Sequence, residues 1–346
     1  MVAAHRFIAR SNFEGALAML IVDAHLDLAY NAIRGRAVER PAREQTADEQ
    51  GIPSVGLPDL RAGGVDLVCA TIFCWPAEDN EPGYRTPQEA HDQLLDQLRW
   101  YQRMESTGEI AFARNAAQLQ MLSALPHAVL LLEGADPIRD EADLQMLFDA
   151  GLRIVGLAWH RTRFAGGTRA PGPLTTLGVE LVPKLDRLGI IHDTSHLAEE
   201  SFWHLLELAT GPVMASHSNC RSIVPTDRQL SDEMIRALVA RDGVIGINFY
   251  DKFLLPPDQH GKRRATLADL LPHIRHICDL AGDAAHVGLG TDMDGGLGRD
   301  KIPVEIQTSA DLGRVGDALS ASGFTDTDIA AILGGNWLRF LSGNLA

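Results

Sequence analysis

Short apolar, β-branched runs recur along nearly the whole chain, and each is followed by a longer stretch with helical periodicity. The runs predict strands at Ile21–Asp27, Val65–Cys74, His127–Gly134, Leu152–Trp159, Ile190–His196, Val213–Ser218, Val244–Tyr250 and Val287–Asp292. Amphipathic segments between them predict helices at Thr86–Thr107, Glu141–Ala150, Gly178–Leu188, Ala198–Ala209, Ser231–Arg241 and Thr266–Ala281. Glycines 151, 189, 211, 243 and 282 stand where those helices would end, as C′ glycines do. Eight strand–helix steps predict an α/β fold whose parallel sheet closes into a (β/α)8, TIM-type barrel. The alternative is an open doubly wound sheet. That fold usually carries a glycine-rich dinucleotide loop after its first strand, whereas here the strand ends in His25-Leu-Asp27 and no GxGxxG follows. Residues 1–346 are read as a single barrel domain. The polar stretch Arg34–Pro58, with Gly51-Ile-Pro53 and Gly56-Leu-Pro58, is expected as an inserted loop over the barrel mouth, open to motion.

Composition narrows the partners rather than the fold. At 45% hydrophobic and 22% charged, the 346 residues have an ordinary globular make-up. A net charge of −15 argues against nucleic acid or an anionic membrane surface as a partner. No run of about 18 apolar residues is present, so no membrane span is expected. Arg6 and Arg10 precede an apolar stretch that runs straight into Asp23, with no small-residue cleavage site, so no signal peptide is read. Cys69, Cys74, Cys220 and Cys278 form no CxxC pair and are expected as free thiols in a reducing, cytoplasmic setting.

Six residues carry the chemistry: His25, Asp27, Glu133, His196, His217 and Asp292. All lie at or just past the carboxyl ends of predicted strands, where barrel enzymes keep their active sites. His25 and Asp27 are two apart and share a strand face. A carboxylate-and-imidazole set of this size suits two divalent cations, with zinc the first choice for hydrolysis. Each residue alone is weaker evidence. A histidine at a strand end is more often a hydrogen-bonded core or surface group. Asp292 alone reads as a turn residue before Gly295-Gly296, and Arg228 alone as a solvated charge. Glu133 is stronger, because a carboxylate closing Val-Leu-Leu-Leu is costly to bury unpaired. Among the remaining histidines, His5, His91, His204, His260, His273 and His276 read as surface, and His127 and His286 as lying at the opposite end of the barrel. His192 shares phase with His196, below the site or in the core. Trp75, Trp100, Trp203 and Trp337 read as packing, while Trp159 adjoins His160 and reads as pocket lining.

In this order the motifs resemble the membrane (renal) dipeptidase family, peptidase family M19. Asp23-Ala-His25-Leu-Asp27, Leu132-Glu133-Gly134, Asp193-Thr-Ser-His196, Ser216-His217-Ser-Asn219, the segment through Arg228, Gly290-Thr-Asp292-Met-Asp-Gly295 and Gly334-Gly-Asn-Trp-Leu-Arg339 carry the resemblance along most of the chain. It implies a zinc-dependent dipeptidase, with L-Xaa-D-Xaa dipeptides among its substrates. His25, Asp27 and Glu133 would hold one zinc, and Glu133, His196 and His217 the second, with a hydroxide shared between them. Asp292 would carry the proton, His160 would donate to the oxyanion and Arg228 would bind the substrate carboxylate. A homodimer is left open as the assembly.

Two departures bear on substrate. Leu26 replaces the Asn usual between the first His and Asp, and the loop after strand four reads Trp159-His160-Arg161, then Phe164-Ala-Gly-Gly167, rather than Thr-His-Asn. They keep open a related metal-dependent amidohydrolase acting on N-acyl amino acids, β-lactams or lactones. A non-catalytic barrel with structural metal is the other alternative.

Overall fold

The computed structural model describes residues 10–11, 17–77, 83–123 and 125–345. Eight parallel strands form the barrel: β1 (Ile21–Leu26), β2 (Val65–Phe73), β3 (His127–Glu133), β4 (Leu152–Gly156), β5 (Ile191–Asp193), β6 (Val213–Met214), β7 (Ile245–Ile247) and β8 (Val287–Leu289). Neighbours in sequence are neighbours in the sheet, and β8 pairs with β1 through Leu289 and Asp23. A single bridge from Ala215 to Ile245 joins β6 to β7. The Ala215 amide donates to the Val244 carbonyl at 3.0 Å, and the Gly246 amide to the Ala215 carbonyl at 2.8 Å. Glycine is required at this seam, since a Cβ at Gly246 or at Gly290 would overlap the Ser216 carbonyl oxygen. Two minor elements lie outside this eight-strand order: a separate antiparallel pair, Arg10–Ser11 with Leu17–Ala18, and a short strand, Ala111–Phe112, paired to the start of β3.

Side chains alternate between two apolar cores with the strand period of two. Val68, Ala70, Ile72, Leu130, Leu132 and Val155 pack outward among the helices. Leu67, Cys69, Val129, Leu131, Ile154 and Ile191 join Trp337, Phe340 and Leu341 of the C-terminal helix, Asn336–Asn344. The helix Pro87–Ser106 begins with a capping box, in which Thr86 accepts from the Glu89 amide.

The strands stop earlier than the apolar runs predict. β5 ends at Asp193 rather than His196, β6 at Met214 rather than Ser218, and β8 at Leu289 rather than Asp292. Apolar burial continues past β4 through Leu157 and Ala158 while the ladder does not, so hydrophobicity overstates strand length. The segment expected as Thr266–Ala281 is a short 3-10 turn, Leu267–Asp269, followed by a helix, Leu271–Ala281. Pro272 lies at the start of that helix, where its missing amide costs nothing. Glycines 151, 189 and 282 adopt the left-handed backbone of a C′ residue, but 211 and 243 do not. A Cβ at Gly211 would press on Asp186, and one at Gly243 on the Val213 carbonyl.

Residues 34–58 are tied down rather than free. The Asp294 carboxylate accepts from the Ser54 amide (3.0 Å), the Ser54 hydroxyl (2.7 Å) and the Val55 amide (3.0 Å). Arg36 Nη1 lies 3.2 Å away, and the same guanidinium binds Asp48.

Candidate metal centre and pocket

The strand ends deliver donors to one point. Glu133 closes β3, and its Oε1 lies 3.0 Å from His196 Nε2 and 3.4 Å from His217 Nε2. Its Oε2 lies 3.5 Å from His25 Nε2, which is 4.0 Å from Asp27 Oδ2. The Nε2 atoms of His196 and His217 face each other at 2.9 Å. Donor atoms of Glu133, His196 and His217 fall within 4.8 Å of one another, as do those of His25, Asp27 and Asp292. His25, Asp193 and His217 form a third such group, but both Asp193 oxygens are engaged by Ser195 and Ser216.

The far side of each imidazole is occupied. Ser216 Oγ lies 2.6 Å from His217 Nδ1 and 3.2 Å from His25 Nδ1, and its proton goes to Asp193 Oδ2 at 2.6 Å. Thr168 Oγ1 lies 3.0 Å from His196 Nδ1. All three Nε2 atoms are thus turned toward Glu133, the arrangement that second-sphere partners impose on metal-ligating histidines. His25 Nε2 and Asp27 Oδ1 are buried with no hydrogen-bond partner among the described residues.

Electrostatics point the same way. Burial raises Asp27 well above the usual carboxylate range, although His25 opposes it. Burial acts to raise Glu133 too, but the imidazoles, His25 foremost, hold it well below that range. His25 is pushed up to about 10, with Glu133 overcoming the effect of burial. Burial lowers His196 to about 4 and drives His217 well below its ordinary value. A buried cluster with this excess of carboxylate requires positive charge, and orphaned nitrogen and oxygen donors fit a divalent metal there.

Asp292 stands beside the cluster. Its Oδ2 accepts from Asn248 Nδ2 at 2.9 Å, and burial lifts its carboxyl to about 6 against the pull of His25. His196 and Asp292 hold φ values of 67° and 57°, a left-handed backbone that L-residues rarely adopt outside functional turns. A Cβ at Gly295 would overlap Asp292 Oδ1, so glycine keeps that carboxylate clear. Arg228 is buried: Nη1 donates to Ser218 Oγ at 3.0 Å and Nη2 to the His217 carbonyl at 2.7 Å. Asp27, Glu133, His160, His196, Arg228 and Asp292 all line one pocket of about 300 Å³, which opens between aromatic side chains.

All eight candidate residues therefore meet around one site, though several single-residue expectations fail. Arg228 is not a solvated charge. Trp75 lines the pocket instead of packing in the core. His91 and His273 are buried, not surface, and hydrogen-bond the Pro137 carbonyl and the Cys220 amide. His192 points away from the site and pairs with Asp186 at 2.7 Å. It is fully buried, so its core alternative holds, and the shared phase with His196 is lost because β5 ends at Asp193 and the chain turns at His196. His5 lies outside the described residues. Asp193, Ser216, Thr168 and Asn248 escaped the sequence reading. The first two sit inside the histidine motifs, which was the available signal; Thr168 and Asn248 gave none.

Comparison with known proteins decides the lineage. The pattern that defines the membrane dipeptidases, peptidase family M19, matches residues 16–344. This chain belongs to that family. As an M19 chain it is 31% identical over 273 residues to an uncharacterized protein from the pqqA 5′ region of Klebsiella pneumoniae, covering 74% of this chain and 97% of the relative. It is 30% identical over 343 residues to an uncharacterized dipeptidase of Schizosaccharomyces pombe, covering 92% and 79%. Among solved structures, an M19 metallopeptidase, dipeptidase AC, superposes with a TM-score of 0.83 at 26% identity, over 94% of this chain and 99% of that one. A metallopeptidase from Rhodobacter sphaeroides, liganded with a phosphinate mimic of the dipeptide L-Ala-D-Ala, gives 0.82 at 25% identity, with the same coverage. No helix among the described residues is long and apolar enough to cross a membrane.

Proposed function

We propose that this M19 chain hydrolyses the peptide bond of dipeptides at a centre of two zinc ions. The observation that carries the reading is the convergence of three Nε2 atoms on one buried glutamate, beside a second carboxylate with an orphaned oxygen. His25, Asp27 and Glu133 would hold one ion, and Glu133, His196 and His217 the other. When bound, the ions supply Lewis-acid polarisation of the amide carbonyl and activation of water.

The remaining steps fall to the chain's own residues. The Arg228 guanidinium binds the substrate's terminal carboxylate, which favours short peptides over long ones. It is already oriented by Ser218 and the His217 carbonyl. His160 donates to the carbonyl oxygen as negative charge develops there. Asp292 takes the proton from the attacking water and passes it to the leaving amine, while Asn248 fixes its Oδ2. In the metal-free protein burial lifts that carboxyl to about 6. The R. sphaeroides relative bound to an L-Ala-D-Ala mimic supports extending the substrate class to L,D dipeptides. The four free thiols support a reducing, cytoplasmic location.

A dipeptide library with L,L and L,D members, assayed on zinc-loaded protein, tests the reading. Turnover of dipeptides is expected, with Asp292→Asn losing it and keeping its metal. Full metal occupancy with no dipeptide cleaved would overturn the proposal.

A further inference from the structure

Tyr30, Phe73, Trp75 and Trp159 form a continuous aromatic wall on one side of the pocket. Phe73 stands 5.3 Å from Tyr30, 5.9 Å from Trp75 and 5.3 Å from Trp159, centroid to centroid, and the two tryptophans stand 5.2 Å apart. Trp75 and Trp159 remain partly exposed, whereas Trp100 and Trp337 are buried in the core. Exposed indole surface inside a pocket is available to a ligand.

Barrel order says which part of a ligand reaches it. Phe73 ends β2, and Trp75 follows it. Arg228 lies in the loop after β6. In a ring of eight strands, β2 and β6 are four apart in either direction, so Phe73 and Trp75 stand across the mouth from the guanidinium. The register places Phe73 level with Glu133, the glutamate on which the imidazoles converge. A dipeptide with its carboxylate on Arg228 and its amide over Glu133 thus directs its amino-terminal residue toward the wall. We infer that the wall seats the amino-terminal side chain and gives the enzyme a preference for bulky apolar residues there, aromatic ones first. The inference rests on the dipeptidase reading and on Arg228 as the carboxylate anchor.

The test compares Phe-Ala, Ala-Phe and Ala-Ala on zinc-loaded wild type and Trp75→Ala. Stacking and burial of a phenyl ring should raise kcat/KM for Phe-Ala over Ala-Ala by about 10- to 100-fold. The gain should be absent when Phe occupies the second position. Trp75→Ala should shrink the Phe-Ala to Ala-Ala ratio at least about tenfold, and Trp75→Leu, which keeps apolar bulk, should retain part of it. A wild type that cleaves Ala-Ala but gains nothing from Phe-Ala overturns the inference, as does one favouring Ala-Phe or a Trp75 variant that leaves the ratio unchanged. Faster cleavage of Arg-Ala than Phe-Ala also overturns it, assigning the wall to cation–π recognition. If none of the dipeptides is cleaved, the dipeptidase reading fails. The wall is then judged by calorimetry with phosphinate mimics of Phe-Ala and Ala-Ala, where equal affinity contradicts it.

Discussion

Ser216→Ala removes one oxygen atom and should cost metal binding although Ser216 is not a proposed ligand. That hydroxyl has four neighbours: Asp193 Oδ2 and His217 Nδ1, both at 2.6 Å, His25 Nδ1 at 3.2 Å and Ser195 Oγ at 3.3 Å. It accepts from His217 and donates to Asp193, which leaves the His217 Nε2 lone pair free and aimed at Glu133. Without it, both imidazoles lose the group that fixes tautomer and ring angle. Loss of such a partner typically lowers metal affinity about 10- to 100-fold, or about 1.4–2.8 kcal/mol. Asp193 Oδ2 also loses its donor, while Oδ1 keeps the Ser195 and Ser216 amides. A buried acceptor left short costs about 1–3 kcal/mol of stability. Competition against a chromophoric chelator gives the zinc affinity, and urea unfolding of the metal-free protein gives the stability term separately. Ser218→Ala is the control, since Ser218 holds Arg228 and Ser195 but touches neither imidazole. Zinc affinity of Ser216→Ala within twofold of wild type, in a folded protein, would refute the reasoning.

Three further outcomes are expected. Arg228→Lys loses the planar fork that rests on Ser218 and the His217 carbonyl, so kcat/KM for dipeptides should fall about 100-fold, mostly through KM; C-terminally amidated dipeptides should lose much less, and an equal loss would contradict carboxylate binding. Asp294→Ala strips the Ser54 and Val55 donors of their acceptor and leaves buried Arg36 with Asp48 as its one carboxylate partner among the described residues, so stability should drop by about 3 kcal/mol and amide exchange should rise across residues 34–58; unchanged exchange there would show that the tether does not hold the segment. Burial lowers His273 to about 4, so between that value and about 6.5 the unfolded chain binds a proton that the folded chain refuses. Its contribution is complete above about pH 6.5 and falls by up to about 3 kcal/mol as pH drops toward 4; His273→Gln should flatten the pH dependence of the urea midpoint between pH 7 and 5, and an unaltered slope would rule out this origin.

The barrel was legible because strand and helix periods differ and alternate cleanly from Ile21 to Leu289. The convergence of His25, Asp27, Glu133, His196, His217 and Asp292 was legible because one fold rule places every strand's carboxyl end on the same face. Strand ends were not, because Leu157, Ala158 and Ser216 stay buried after the ladder stops. Two histidines were misread although the pattern held the answer. His91 lies on the helical stripe with Leu94, Leu98 and Tyr101, and His273 precedes buried Ile274 and Ile277. The Asp294 tether to Ser54 spans 240 positions, a distance over which no local pattern speaks. Trp75 was read as packing because two positions after a buried strand end carry no sign of which way a ring faces.

The most direct measurement is anomalous diffraction from crystals of the zinc-loaded protein. Two peaks about 3.5–4 Å apart are expected, both bonded to Glu133, with His25 and Asp27 on one ion and His196 and His217 on the other. A single ion that does not touch Glu133, or two ions bound elsewhere while these donors keep their hydrogen bonds, would contradict the account.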